Sequence, residues 1–261
     1  MNRDIVRQVA VVVAVIATIV VNVLANALPI NGLTTAEISD RFEVFFVPAG
    51  YVFAIWGLIS IALLAFAAFQ ALPSQRANPR LRRVGYWFVL GSAANIAWIF
   101  LWHYEQFALT VAAMLLLLVS LIVVYLGLGV GRAAVTVGER WFVHLPFSIY
   151  LGWITVATIA NVTALLAYLN WDGFGIAPEV WTALVLAVAV VIAALMALTR
   201  ADVAYLLVLV WAFVGIAVKH GDTAAVAVSA LVAAGLAVAF AVMSALRVRR
   251  GGSGAATLRA A

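Results

Sequence analysis

Long uninterrupted apolar runs constrain this chain more than any other feature of its sequence. The few charged side chains fall almost entirely between runs of about 18 to 26 residues, the length that crosses the hydrocarbon core of a bilayer as a helix. Hydrophobic residues make up 67% of the chain and charged residues 10%, whereas about a quarter of the residues are charged in soluble domains. The sequence therefore predicts an all-α integral membrane protein.

The apolar runs predict eight transmembrane helices. They cover residues 8–28, 48–72, 85–103, 106–130, 142–169, 179–199, 201–219 and 223–246. Two tight turns, at residues 103–106 and near Arg200, separate neighbouring runs, and merging either pair would leave seven spans.

The positions of Lys and Arg test the number of spans, because these residues gather on the cytoplasmic side of membrane proteins. With eight spans, 13 of the 15 basic residues fall on one side, and Arg41 and Lys219 fall on the other with seven of the ten acidic residues. Seven spans would place the C-terminal arginines outside. We therefore expect a protein of the bacterial inner (plasma) membrane with both termini in the cytoplasm. Anionic lipid headgroups account for the net charge of +5, so we expect membrane lipid and no nucleic acid as a partner.

Several kinds of chemistry are not supported by the sequence. The chain contains no cysteine, which excludes disulfides and thiolate chemistry. His103, His144 and His220 are spread over both sides of the membrane, which argues against a metal site. No phosphate-binding loop, nucleophile motif or pair of carboxylates occurs within the spans, and we expect no Asp, Glu, Lys or Arg to be buried. A hydrolase, a pump, an ion-coupled carrier and a covalently bound cofactor are therefore not expected.

Composition divides the chain near residue 170. Unusual aromatic and amide residues are concentrated in the first five predicted spans, whereas the last three are mainly Ala, Val and Leu. A turn-rich connector, residues 170–178, lies between the two parts. We predict a five-helix core over residues 1–170, three additional helices over residues 171–250 and a disordered tail over residues 251–261.

The longest predicted loop, residues 29–47, contains a helix start at Thr34 or Thr35 followed by Glu37. It is followed by a proline suited to the first turn of the second long helix. The segment is either a lid over the end of the helices or an interfacial loop whose phenylalanines touch lipid headgroups, and the sequence favours neither. The residues of the lid would be Phe42, Phe45, Phe46 and Pro48.

Three predicted helices each carry tryptophan together with a polar group on one face. The three stripes are Phe53, Trp56 and Ser60; Asn95, Trp98 and Trp102; and Tyr150, Trp153, Ala157 and Asn161. Because an unpaired amide is costly in hydrocarbon, Asn95 and Asn161 should point into the bundle. Asn22 and Asn26 are interpreted as contacts between helices. Trp56 and Trp153 lie at mid-depth, whereas Trp102 and Trp141 are assigned to the aromatic belt at the membrane surface.

These stripes resemble the TspO/MBR family, the tryptophan-rich sensory or translocator proteins. The family carries a proline, an aromatic residue and tryptophan at the start of its second helix, Asn-x-x-Trp on its third helix, and Tyr-x-x-Trp-x-x-x-Ala-x-x-x-Asn on its fifth. The residues that match these patterns are Pro48, Tyr51, Phe53 and Trp56; Asn95 and Trp98; and Tyr150, Trp153, Ala157 and Asn161.

The resemblance implies a five-helix bundle, often a homodimer, with a tryptophan-lined pocket for porphyrins or similar flat hydrophobic ligands. Except for Pro48, the matching residues would line this pocket, and the proline belongs to the lid. In bacterial members two pocket tryptophans are associated with slow photo-oxidative breakdown of protoporphyrin, and by position these would be Trp56 and Trp153. Tetrapyrrole sensing is therefore the leading hypothesis. Transport of a hydrophobic metabolite and a purely structural role remain the alternatives.

Overall fold

A computed structural model describes residues 3–28 and 30–257, with side chains as far as Arg249. Over these residues the chain is helical and has no β-strand. Its helices are α1 (Arg3–Ala27), α2 (Thr35–Asp40), α3 (Ile55–Ala71), α4 (Pro79–His103), α5 (Phe107–Leu128), α6 (Val137–Glu139), α7 (Leu145–Tyr168), α8 (Pro178–Arg200), α9 (Val203–Lys219) and α10 (Ala224–Thr257).

Eight of the helical segments are long and apolar, which confirms the predicted fold class. Seven meet the length and hydropathy of a membrane span, and the eighth, α9, is apolar over 17 residues. Two spans are longer than their central helix. A 3₁₀ turn over Gly50–Ala54 leads into α3, and a π-helical turn over Arg140–His144 joins α6 to α7.

The two tight turns, at residues 103–106 and near Arg200, separate distinct helices. After α4, Glu105 adopts a left-handed conformation with φ 57°, and after α8, Ala201 does so with φ 50°. Such a conformation ends an α-helix because it cannot continue the right-handed hydrogen-bond pattern. The next helices, α5 and α9, begin at Phe107 and Val203, within four residues of the preceding helix. The side chain of Asp202 caps α9 by accepting a hydrogen bond from the Tyr205 backbone N–H.

The helices pack as a five-helix core with a three-helix group beside it. In the core, α4 packs against α1 and α5, and α7 packs against α5 and α3. The group beside it consists of α8, α9 and α10, and α9 packs against α7.

Small residues allow α9 to approach the core closely. A Cβ atom added at Gly152 of α7 would lie 3.1 Å from Cβ of Val208, and one added at Gly215 of α9 would lie 2.2 Å from Cγ2 of Val52. Trp211 of α9 also donates a hydrogen bond to the Val52 carbonyl at 3.0 Å. Close approach through glycine is a common way to pack membrane helices.

Hydrogen bonds and ion pairs connect the helix ends into the two groups that the charge count predicts. We call them the basic end and the acidic end. At the basic end, Arg7 donates to the Arg76 carbonyl, Arg80 pairs with Glu139, and Arg200 donates to the Val130 carbonyl. At the acidic end, the ion pairs are Arg41 with Glu105 and Lys219 with Asp40.

The expectation that charge is absent from the interior is wrong for two residues near the basic end. Asp202 is 7% exposed and Arg7 is 3% exposed. The carboxylate of Asp202 is buried because it accepts hydrogen bonds from hydroxyl groups of α5 and α7, Tyr125 at 2.7 Å and Ser148 at 2.6 Å. Partnered charges of this kind can be buried, whereas isolated ones cannot.

The C-terminal helix extends beyond the last predicted span. It continues to Thr257, through residues 251–257 for which the composition predicts disorder. Once a helix has formed, each further residue adds a hydrogen bond without a new nucleus, so polar and glycine-containing sequence can prolong it. Residues 258–261 of the predicted tail, and Pro29 of the predicted loop, lie outside the described residues.

Candidate tryptophan cavity

A small cavity near the acidic end is surrounded by four tryptophans from three helices of the core. Its volume is about 50 Å³, and it is closed above by the segment 35–48, which we call the roof. The tryptophans are Trp56 of α3, Trp98 and Trp102 of α4, and Trp153 of α7. The remaining lining residues are Thr35, Ser39, Val47, Pro48, Phe53, Met114, Val156, Ala157, Ala160 and Asn161.

The aromatic rings around the cavity meet mainly edge to face. Trp153 is contacted in this way by Trp56, with ring centroids 6.3 Å apart, and by Phe53, at 5.8 Å. Trp98 and Trp102 instead stack with centroids 5.4 Å apart and an interplanar angle of 19°. Both arrangements are favourable for aromatic pairs, and they leave flat apolar ring faces available near the cavity.

Asn161 fixes the position of Trp98 by hydrogen bonds that join three helices. Its side-chain oxygen accepts from the Trp98 indole N–H at 2.9 Å, and its amide donates to the hydroxyl of Thr110 at 2.8 Å. The Thr110 hydroxyl in turn donates to the Phe107 carbonyl at 2.6 Å. Asn161 is 3% exposed, so the prediction that its amide points into the bundle agrees with its placement.

Trp153 differs from Trp98 because its indole N–H has no acceptor. The residue is 2% exposed and lines the cavity, yet Nε1 makes no hydrogen bond with any described residue. A buried donor without a partner is costly, and such a group in a native structure calls for an explanation. A ligand with an acceptor atom would provide one.

Three of the predicted site residues do not line the cavity. Asn95 is buried one to two helical turns below Trp98 and Trp102, and its oxygen accepts from Asn22 of α1 at 2.7 Å. Tyr150 is buried behind the cavity, with its ring 6.1 Å from that of Trp56.

Tyr51 lies outside the core, is 46% exposed and packs against Trp211 at 5.3 Å. Tyr51 belongs to the 3₁₀ turn Gly50–Ala54 that precedes α3, where side chains follow a period of three residues rather than the 3.6 of an α-helix. The remaining predicted residues, Phe53, Trp56, Trp98, Trp153, Ala157 and Asn161, do line the cavity.

The predicted lid residues cover the acidic end but contact different partners. Pro48 lines the cavity directly. Phe42 packs edge-on against Phe107 at 4.9 Å, Phe45 packs edge-on against His220 at 5.2 Å, and Phe46 is 2% exposed. The segment is therefore packed onto the helices rather than extended along the membrane surface.

The roof is fixed at both ends by polar contacts outside the apolar spans. Thr34 and Glu37 form a capping box at the start of α2, and the backbone hydrogen bond from Thr34 holds the pKa of Glu37 below its usual value. His220 lies 3.2 Å from the Val47 carbonyl, and burial lowers the pKa of its ring. The predicted helix start at Thr34 is thus confirmed.

Trp102 lines the cavity, although its position near the end of a predicted span indicated the aromatic belt. It is 4% exposed and donates through its indole N–H to the Thr35 carbonyl at 3.2 Å, so it joins α4 to the roof and does not belong to a lipid-facing belt. Its spacing of four residues from Trp98 was the available signal, because residues i and i+4 of a helix share a face. Trp141, the other predicted belt residue, is 59% exposed.

Replacement of Asn161 by leucine is expected to lower the free energy of unfolding by about 2 kcal/mol, because the buried Trp98 N–H then loses its acceptor. Thr110→Val is the matched control, since it removes the partner of the Asn161 amide and leaves the Trp98 bond intact. Unfolding by sodium dodecyl sulfate in mixed micelles measures both. Equal losses for the two variants would show that the Trp98 bond is not the important one.

Comparison with known proteins supplies one match. A protein-family model described as TSPO-like protein matches residues 8–243. The matched range contains the whole cavity and also α8, α9 and most of α10. No curated protein and no solved structure gives a match to the chain.

Proposed function

We propose that this chain, which belongs to the family of TSPO-like proteins, is a membrane receptor that binds a flat hydrophobic ligand of the tetrapyrrole class at its tryptophan cavity. The observation that carries the proposal is the convergence of four tryptophans from α3, α4 and α7 on one cavity. Tryptophan presents a large flat apolar face and a polar N–H, which suits a conjugated macrocycle with acceptor groups at its edge.

The chemistry of the lining favours a neutral or flat amphiphilic ligand over an ion. The cavity is lined by no Asp, Glu, Lys, Arg or His among the described residues. The buried charges Arg7 and Asp202 lie near the basic end and hold loops and helices there. Ion-coupled carriers place titratable or cation-binding groups beside their substrate at mid-depth, so a receptor accounts for this cavity better than a coupled transporter.

Binding requires the cavity to expand. Sites for small molecules are commonly about 300–1,000 Å³, whereas this one is about 50 Å³. We infer that the roof is the part that moves, because it is the short segment over the cavity and its charged contacts are two exposed ion pairs, Arg41–Glu105 and Asp40–Lys219, each worth about 0–1 kcal/mol. Its displacement also breaks the hydrogen bond between Trp102 and the Thr35 carbonyl. We infer that ligand binding displaces the roof and separates the edge-on rings of Trp56 and Trp153.

The orientation that we propose places the basic end in the cytoplasm. Positively charged residues gather on that side of membrane proteins, and the arginines of the basic end would then face anionic lipid headgroups. The cavity and its roof would open toward the opposite surface. Labelling of a cysteine introduced at Ser74, an exposed residue of the basic end, by a membrane-impermeant reagent tests this orientation, and labelling in intact cells would contradict it.

Dark titration with protoporphyrin IX tests the proposed ligand class. Wild-type protein in detergent is expected to show saturable quenching of tryptophan fluorescence. Trp56→Phe/Trp153→Phe is expected to bind about tenfold more weakly, because each substitution removes the indole N–H and part of the flat ring face from a contact worth about 0.5–1.5 kcal/mol. The matched control is Trp87→Phe/Trp141→Phe, which removes two exposed tryptophans far from the cavity. The proposal fails if quenching is not saturable, or if both double variants bind like the wild type.

A further inference from the structure

A second, larger groove lies between α7 and α8 near the acidic end. Its volume is about 520 Å³, within the usual range of sites that hold small molecules. It uses a different face of α7 from the cavity: Thr158, Val162 and Leu166 line the groove, whereas Trp153 and Ala157 line the cavity. The two sites are separated by α7 and by the roof.

The walls of the groove are apolar. Val162 and Leu166 of α7 face Val185 and Val188 of α8, and Phe46 of the roof closes one side. The groove extends from Thr158 to Ala167 along α7, about 14 Å of helix at 1.5 Å per residue. A hydrocarbon chain or a small fused ring system can occupy a space of this length.

Aromatic rings surround the end of the groove at the membrane surface. Trp171 and Trp181 line it with ring centroids 5.2 Å apart, and the indole N–H of Trp181 donates to the Gly173 carbonyl at 2.8 Å, which fixes that ring. Phe174 packs edge-on against Trp171 at 5.3 Å, although it is itself 78% exposed.

The same end of the groove carries two acidic side chains, and no basic side chain among the described residues lines it. Glu43 and Asp172 line it, and neither forms an ion pair with another described residue. The basic side chains at the acidic end, Arg41 and Lys219, pair with other carboxylates and do not line the groove.

We propose that this groove binds an amphiphile with a positively charged ammonium head and an apolar body. The body lies between α7 and α8, and the head lies at the aromatic end, between Glu43 and Asp172 and against the face of Trp171. An ammonium group is attracted both by carboxylates and by the electron-rich faces of aromatic rings. An anionic ligand such as a porphyrin dicarboxylate is repelled at this end, so the site is distinct from the tryptophan cavity in the ligand it takes.

A fluorescent label in the groove measures binding directly. Because the chain has no cysteine, Thr163→Cys in the groove carries the only thiol for a bimane label, and Val191→Cys on the exposed side of α8 is the matched control. The two probes are decyltrimethylammonium and decyl sulfate, which have the same hydrocarbon chain and opposite charges. Each is titrated, at concentrations below its critical micelle concentration, into protein in dodecyl maltoside. We expect a saturable response to the ammonium at residue 163 and none at residue 191.

Removal of the charges tests the role of the head group. In Glu43→Gln/Asp172→Asn the asparagine oxygen still accepts from the Phe174 backbone N–H, so the turn is kept while the charge is lost. This variant is expected to bind the ammonium about tenfold more weakly, from the loss of two partly screened charge contacts. Trp171→Leu should likewise weaken the ammonium and leave the sulfate unchanged.

Two results would overturn the proposal and assign the groove to ordinary lipid chains. One is equal affinity for the two probes, and the other is ammonium binding that neither variant changes. The porphyrin titration is independent of this result, because it depends on residues that do not line the groove.

Discussion

Replacement of Asp202 by alanine is expected to lower the free energy of unfolding by about 3 kcal/mol, because three buried donors lose their acceptor together. These donors are the Tyr125 hydroxyl, the Ser148 hydroxyl and the Tyr205 backbone N–H. They belong to α5, α7 and α9, so the carboxylate joins the three-helix group to the core. Unfolding by sodium dodecyl sulfate in mixed micelles measures the loss.

The control for this effect is Asp202→Asn, which keeps one oxygen as an acceptor and is expected to lose about half as much stability. The double variant Tyr125→Phe/Ser148→Ala removes the two hydroxyl donors and leaves the cap of α9 in place. If Asp202→Ala is as stable as the wild type, the carboxylate does not hold α9 to the core.

Replacement of Gly131 by alanine is expected to destabilise the same junction by about 3 kcal/mol, since two separate costs combine. Gly131 has φ +74°, a left-handed conformation that costs an L-residue about 1–2 kcal/mol. An added Cβ would also lie 2.1 Å from the backbone oxygen of Arg200, so the end of α8 must move. Thermal unfolding in detergent is a suitable measurement.

Gly175→Ala is the control that separates the backbone effect from the steric effect. Gly175 also has φ +74°, but an added Cβ meets nothing within 4 Å. Gly175→Ala should therefore show the backbone cost alone, about 1–2 kcal/mol. If the two alanine variants lose the same stability, the close contact between residue 131 and α8 does not contribute.

Most of the helices could be predicted from the sequence because their apolar runs are bounded by strong breaking signals. Pro79 and Pro178 stand at the first position of α4 and α8, where a missing N–H costs nothing. Gly129 adopts a left-handed conformation and ends α5. The turn at Ala201 carries no such signal, and its position followed only from the arginine beside it.

The site was predictable in part. Helical spacing shows which residues share a face of a helix, but it does not show which of them reach the cavity or are buried by another segment. Trp56, Trp98 and Trp153 lie together as their spacing indicates. Asn95 shares a face with Trp98, yet it lies too deep to reach the cavity and bonds with Asn22 instead. Trp102 was assigned to the belt for the opposite reason: it lies near the end of its helix, but the roof buries it.

Buried polar partners could not be predicted either, since they come from residues far apart in the sequence. The bond between Tyr125 and Asp202 spans 77 positions, and that between Trp98 and Asn161 spans 63. The groove has the same origin, because its walls come from the roof, α7 and α8. Periodicity reports on one helix at a time and contains no information on such contacts.

The most direct test of the tryptophan cavity is to map oxidised tryptophans by mass spectrometry after brief illumination of the protein with bound protoporphyrin IX in air. An excited porphyrin converts nearby oxygen to a reactive form that attacks indole rings close to it. We predict that oxidation appears first at the four cavity residues, Trp56, Trp98, Trp102 and Trp153. Oxidation that begins at Trp171 and Trp181 of the groove, or at the exposed Trp87 and Trp141, would contradict the proposed site.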